Sequence, residues 1–66
     1  MSVVKVIEIL AESDESWEDA AQNAVAEVAK TVTDINQVYI ENLLAVVEDN
    51  KIVKYRANCK ISFVVK

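Results

Sequence analysis

Apolar residues crowd the opening of the chain. Val3 to Leu10 (VVKVIEIL) is rich in β-branched residues and shorter than an ordinary helix, which predicts a strand. A period of two puts Lys5, Ile7 and Ile9 on one face and Val4, Val6, Glu8 and Leu10 on the other. The spacing then changes. Trp17, Ala20, Ala21, Ala24, Val25, Val28, Ala29 and Val32 recur three and four apart, one apolar stripe on a helix of about five turns. Ser13 is the expected N-cap, because its hydroxyl can accept an orphan backbone N–H of the first turn. Asp14 and Glu15 follow where the positive end of the helix dipole favours carboxylates. The run Thr31-Val32-Thr33-Asp34 weakens the helix through its β-branched and Asx side chains.

Two long alternating segments complete the chain, Ile35 to Val47 and Ile52 to Val65, with Glu48-Asp49-Asn50-Lys51 as the turn between them. Asn50 is the residue expected to take positive φ there. In the last strand Val53, Tyr55, Ala57, Cys59, Ile61, Phe63 and Val65 share a face, against Lys54, Arg56, Asn58, Lys60 and Ser62. In the strand before it, strict alternation sets Val38, Ile40, Leu44 and Val46 against Gln37, Tyr39, Glu41, Leu43 and Ala45. The predicted class is α+β, in the order β-α-β-β, as a single domain over residues 1–66. One sheet face takes the helix. The other is polar but carries Tyr39 and Leu43, and Leu43 is expected to lie in a subunit contact.

Composition narrows the chemistry. The 66 residues include one Cys and no His, Gly or Pro. That leaves no disulfide framework, no Cys/His zinc site and no glycine-rich phosphate cradle. A net charge of -4 argues against nucleic acid, which requires a basic stripe. No apolar run is long enough for a membrane span and the opening lacks a signal-peptide pattern, so a cytoplasmic protein is expected. A chain this short buries only about 60% of its unfolded surface. With disulfides unavailable and 53% of residues hydrophobic, oligomerisation is the expected remedy.

The KVIEI opening, the helix entry Ser13-Asp14-Glu15-Ser16-Trp17-Glu18-Asp19-Ala20-Ala21 and the ending Tyr55-Arg56 with Lys60-Ile61-Ser62-Phe63 together resemble the dodecins. The resemblance spans nearly the whole chain. It implies a three-stranded antiparallel sheet wrapped around one helix, and twelve copies closed into a hollow shell that binds flavins for storage rather than catalysis. In flavin-binding members a Trp early in the second strand stacks on the ring and a Gln in the third bonds its edge. The corresponding positions here are Gln37 and Arg56, with Tyr39 beside them as remaining stacking surface. An amide is no substitute for an indole platform; losing the aromatic contact costs about 1 kcal/mol or more. The Ser16-Trp17-Glu18 entry and the Arg56 to Phe63 ending are more similar to a calcium-binding branch of the family. That branch implies calcium or another cation as cargo. From the residues themselves, Glu8 beside Glu41 on the polar sheet face and Glu18 among Glu12, Asp14, Glu15 and Asp19 at the helix start are the acidic candidates, with Glu8 and Glu18 taken as metal ligands and a dipole-complementing helix start as the plainer role.

Plainer roles stand beside these. Trp17 fits the apolar stripe as a core residue, and Cys59, flanked on its face by Ala57 and Ile61, fits a small buried hydrophobe. Arg56 and Lys60 can pair with Glu8 and Glu41 across strands and merely fix register. Three functions follow: a non-catalytic homododecameric shell for a small ligand or cation, a flavin shell without the Trp, and a structural module that contacts a partner protein. Nothing in the chain supplies an acid–base pair or an activated thiol, so it is not expected to be an enzyme.

Overall fold

The computed structural model describes residues 3–65. Strand β1 (Val3–Ser13) leads to helix α1 (Trp17–Val28), and strands β2 (Ile35–Glu48) and β3 (Lys51–Val65) form a long hairpin. The sheet is antiparallel in the order β1-β3-β2, so the last strand lies in the middle. This is the expected β-α-β-β arrangement, with α1 packed on one face.

Three boundaries differ from the sequence reading, each for a local reason. β1 runs three residues beyond Leu10, because Ala11, Glu12 and Ser13 stay in register with Ala57, Arg56 and Tyr55. The N-cap is therefore Ser16, whose extended backbone and hydroxyl take the Asp19 N–H, and not Ser13. The helix stops at Val28 after 12 residues, about 18 Å. Its end tightens through bonds from Lys30 N–H to Glu27 O and Thr31 N–H to Val28 O. Val32 still packs against the core, but from the connection rather than from the helix.

The hairpin turn has positive φ at both central residues, 51° at Asp49 and 63° at Asn50. That geometry matches the right-handed twist of the flanking strands. Without glycine, Asp and Asn tolerate the left-handed region best. Asp34 takes the same region, with φ 61°, where the chain enters β2.

Irregularity in β2 decides which residues face the helix. Register shifts fall at Ile35/Gln37, Ile40/Asn42 and Val46/Val47. Before Glu41 the alternation holds: Val38 and Ile40 pair with Ile61 and Cys59, while Gln37 and Tyr39 pair with Ser62 and Lys60. After it the faces exchange. Leu43 and Ala45 now pair with Ala57 and Tyr55 on the helix side, whereas Leu44 and Val46 pair with Arg56 and Lys54 on the outer side. Placing Leu43 on the polar face and Leu44 on the apolar one was thus the reverse of what the bulge imposes.

The core is small. Ala20, Ala21, Ala24 and Val28 of α1 meet Ala57, Cys59 and Ile61 of β3, with Ile9, Ala11, Val25, Ile35 and Val38 packed around them. Alanines let the helix lie close to the sheet, at the expense of apolar area buried per residue. Among the described residues no buried side-chain polar atom lacks a partner.

Candidate functional site

The outer sheet face carries a ladder of charges built on β3. Arg56 Nε donates to Glu12 Oε2 at 2.6 Å, and Lys54 Nζ lies 3.8 Å from the other oxygen of the same carboxylate. Asn58 Nδ2 donates to Glu8 Oε2 at 3.2 Å, and Lys60 Nζ reaches Glu41 Oε1 at 2.8 Å. The sequence placed Arg56 and Lys60 opposite Glu8 and Glu41; Lys60–Glu41 forms, while Arg56 takes Glu12 because β1 continues far enough to present it.

These contacts set the titration of the face. The hydrogen bond from Arg56, reinforced by its charge and that of Lys54, holds the Glu12 carboxyl below its ordinary range. The hydrogen bond to Glu41 and that carboxylate's charge raise the Lys60 ammonium above the usual lysine value. A lowered carboxyl stabilises the fold above its unfolded pKa and loses that contribution as pH falls through the folded one. A raised ammonium contributes below its unfolded pKa and loses the contribution as pH rises through the folded one. Melting temperature followed against pH should therefore show a shallower acid limb in Glu12→Gln and a shallower alkaline limb in Lys60→Met. An unchanged acid limb in Glu12→Gln would remove the Arg56 pair from the account.

Gln37, Tyr39 and Arg56 all lie on this outer face, but one chain does not gather them. Gln37 sits opposite Ser62 and Arg56 is six residues away along β3, about 20 Å at strand rise. Gln37 and Tyr39 are neighbours. The Ser62 hydroxyl donates to Asn36 Oδ1 at 3.0 Å, with Gln37 Oε1 at 3.4 Å. A pocket using all three residues has to take them from different copies. Glu8 and Glu18 are also apart, Glu8 on the outer face and Glu18 in the first turn of α1 on the opposite side of the sheet.

A feature that periodicity did not reveal lies where β1 hands over to α1. An open cleft of about 410 Å³ is lined by Glu12, Ser13, Asp14, Glu15, Asp19, Asn23 and Lys54. Ser13 organises it. Its hydroxyl donates to Asp19 Oδ2 at 2.6 Å and accepts the backbone N–H groups of Glu15 at 2.9 Å and Ser16 at 3.4 Å. Asn23 Nδ2 bonds the Glu12 carbonyl at 3.0 Å, fastening the helix to the end of β1. The signal available in the sequence was the density of Asp and Glu around Ser13, which helix-dipole complementarity had explained locally. Four carboxylates line the cleft, yet among the described residues no three His, Cys, Asp or Glu side chains converge as a metal-binding group.

Trp17 serves the fold. Its indole N–H donates to the Leu44 carbonyl at 2.8 Å, and its ring meets Tyr55 edge-on with centroids 4.9 Å apart. Cys59 is fully buried, and burial pushes its thiol up, away from the reactive thiolate.

The profile of the family described as Dodecin matches residues 3–66. The chain is 44% identical over 64 residues to the calcium dodecin of Mycobacterium tuberculosis, an alignment covering 96% of this chain and 89% of that protein. It superposes on a crystal structure of the calcium-chelating dodecin from the same organism, which has a novel calcium-binding site. There the TM-score is 0.86, with 34% identity, 98% of this chain and 93% of that one covered. A dodecin variant from T. thermophilus gives a TM-score of 0.94 at 21% identity, covering 100% of this chain and 98% of that one. The dodecin of Streptomyces coelicolor gives 0.94 at 18% identity, covering 98% and 93%. Those two share the fold; the mycobacterial relative shares sequence as well. With its order of elements, its sheet topology and nearly every residue accounted for by these matches, the chain belongs to the dodecin family.

Proposed function

We propose that this protein is the subunit of a closed homododecameric shell that stores or buffers a small ligand, a divalent cation before any other, and catalyses no reaction. The observation that carries the reading is surface. The protomer exposes 4839 Å², whereas a compact monomer of 7.4 kDa exposes about 4,200 Å². The excess of about 600 Å² approaches the roughly 800 Å² that each partner contributes to a standard interface. Shape agrees with area. The Cα radius of gyration is 13.4 Å and the body measures 51 × 20 × 13 Å, against about 11 Å for a compact chain of this length. Val3, Val4, Val6, Leu10, Leu43, Leu44, Val47 and Ile52 are among the side chains left in water. Copies of the chain are the natural cover.

Cation cargo is favoured over flavin by two observations. The relative most similar in sequence among those described is a calcium dodecin. At the flavin-stacking position stands Gln37, already beside Ser62, and not an aromatic ring. Hard cations take several oxygen ligands and accept water among them. The cleft around Ser13 concentrates carboxylates; Glu8 and Glu18 add more on separate faces, and repetition in a shell multiplies all of them. One chain does not complete a coordination sphere, so the reading requires water or a neighbouring copy to do so. Non-catalytic status is supported by the absence of His from the sequence and by the inert setting of Cys59. Among the described residues no helix is long and apolar enough to cross a membrane, in keeping with a cytoplasmic shell.

Native mass spectrometry after chelation, followed by calcium titration, tests this directly. The expected result is a species near twelve times 7.4 kDa that gains calcium in a saturable way and raises its melting temperature as it does. Flavin should leave the colourless protein unchanged and keep its fluorescence. Quenching of riboflavin at stoichiometric protein would move the reading to the flavin shell. A monomer would end it in favour of an interaction module.

A further inference from the structure

We propose that Glu41 and Asn42 lock the register of the β2–β3 hairpin: residues 42–46 have two ways to pair with β3, one residue apart, and these two polar side chains hold them in the bulged one. The lock belongs to a single chain and holds whether or not copies associate.

Two bulges enclose the segment, and they cancel. Ile40 pairs with Cys59 and Asn42 with Asn58, so Glu41 is an extra residue on β2. Val46 pairs with Lys54 and Val47 with Ile52, so Val53 is an extra residue on β3. Between the pairs Ile40–Cys59 and Val47–Ile52 the two strands therefore have equal numbers of residues. A ladder without either bulge fits the same interval and the same turn. It would set Asn42 against Ala57, Leu43 against Arg56 and Leu44 against Tyr55, the facing that strict alternation predicts.

Apolar burial does not choose between the two. The bulged register turns Leu43 and Ala45 to the helix side and Leu44 and Val46 outward, and the regular one exchanges them. Leu43 is 57% exposed and Leu44 47%, so neither is a core residue whose burial would decide. A strand apolar on both faces specifies its register weakly. The bulge also forfeits ladder pairing that the regular register would keep. Polar contacts have to outweigh that.

Three contacts do. Glu41 Oε1 takes Lys60 Nζ at 2.8 Å, which holds the extra residue on the outer face. Asn42 is exposed opposite Asn58, whereas the regular register presses it against Ala57, which is fully buried. An amide buried without partners is costly. The Leu44 carbonyl accepts the Trp17 indole N–H at 2.8 Å, and a slip of one residue turns that carbonyl away. The first two contacts depend on side chains at the bulge itself. The earlier shift in β2 is built alike: Asn36 is the extra residue between Ile35–Phe63 and Gln37–Ser62, and the Ser62 hydroxyl donates to its Oδ1 at 3.0 Å. The outer face thus shows Leu44 opposite Arg56, and not Leu43, because of two polar side chains outside the core.

Paired cysteines read the register directly. Residues directly opposite in an antiparallel pair have Cα atoms about 4.5–5.5 Å apart, within disulfide reach, while neighbours on opposite faces cannot be bridged. In the full chain, Leu44→Cys with Arg56→Cys should close under diamide, and Leu43→Cys with Arg56→Cys should stay reduced. Denaturing mass spectrometry scores only bonds formed within one chain. Cys59 is fully buried against the helix and does not compete. Adding Glu41→Thr with Asn42→Val should reverse the preference, so that the Leu43 pair closes at least several-fold faster than the Leu44 pair. The same two substitutions without the cysteines should shift Trp17 fluorescence, as its indole loses the Leu44 carbonyl. Glu41→Gln alone, which can still accept from Lys60, should keep the original preference.

If the doubly substituted chain fails to fold by far-UV circular dichroism, Asn42→Val alone should raise the closure rate of the Leu43 pair relative to the Leu44 pair several-fold. An unchanged preference in a folded variant would overturn the lock. So would a Leu44 pair that never closes within one otherwise unmutated chain, or a Leu43 pair that closes in its place.

Discussion

Replacing Ile61 with Ala is expected to cost about 2–5 kcal/mol of stability, the range for truncating a fully buried aliphatic side chain. Ile61 and Cys59 are the largest side chains wholly removed from water, and Ile61 is paired with Ile7 on one side and Val38 on the other. The rest of the buried core is mostly alanine, so filling the space would require the partly buried Ile9, Val25, Ile35 or Val38 at its margin to shift inward. A chain of this size has only about 3–10 kcal/mol to lose. The substitution should therefore take the protein to the edge of folding at 25 °C. Urea unfolding must be run at one fixed protein concentration, because the proposed association would be linked to folding. A cost under about 1 kcal/mol would mean that the contacts made by neighbouring copies, rather than this core, hold the protomer together.

Ala24→Leu should be the next most damaging change, by the opposite mechanism. Ala24 is fully buried in the helix face that meets the sheet. The three extra heavy atoms have no cavity to enter, and overpacking of this kind costs about 1–3 kcal/mol, occasionally more. The helix would have to lift from Ala57 and Cys59, and its two side-chain ties, Trp17 to Leu44 at the start and Asn23 to Glu12 in the middle, would be strained. Tryptophan fluorescence should report this together with the lowered melting temperature, since Trp17 holds its place by a hydrogen bond and an edge-on contact with Tyr55. If the melting point fell with no change in the Trp17 signal, the helix would have tilted from its C-terminal end instead.

Both predictions concern the helix–sheet contact, the part of the protein most legible in the residues. The three-and-four spacing from Trp17 to Val28 and the alternation of β3 identified the same alanines, Cys59 and Ile61 that the structure buries. Element order and the polar turn were legible for the same reason: periodicities of two and three to four are imposed by backbone geometry, and short-range turn chemistry follows from a few side chains. Element ends were less legible. Ser13 and Ser16 are chemically alike, and which of them caps the helix depends on how far β1 stays paired with β3. Thr31 to Asp34 signalled a weakening, but its onset at Val28 depends on backbone bonding in the final turn.

The site was legible only residue by residue. The side chains of the outer face were identified, but not who pairs with whom, because Glu12 enters the ladder only when β1 is three residues longer than its apolar run. The acidic cleft joins residues from a strand end, a turn, a helix start and β3, a set with no common period.

What the sequence by itself determined is the class, the order of elements and the alanine-lined contact, and it is the ground on which association of copies is proposed. A hydrophobic share of 53% with a single Cys gives a small fold no disulfide to lean on, which is why the composition points towards association. Tertiary structure alone decided the facing of Leu43 and Leu44, since one unpaired residue at Glu41 exchanges the faces from there to the next register shift at Val46/Val47, and the bulge arises from pairing with β3, not from local preference. It also decided how much of the sheet the helix covers: the twelve residues of α1 rest against a strand of fifteen, and only the packed molecule shows where along the strands the helix comes to rest.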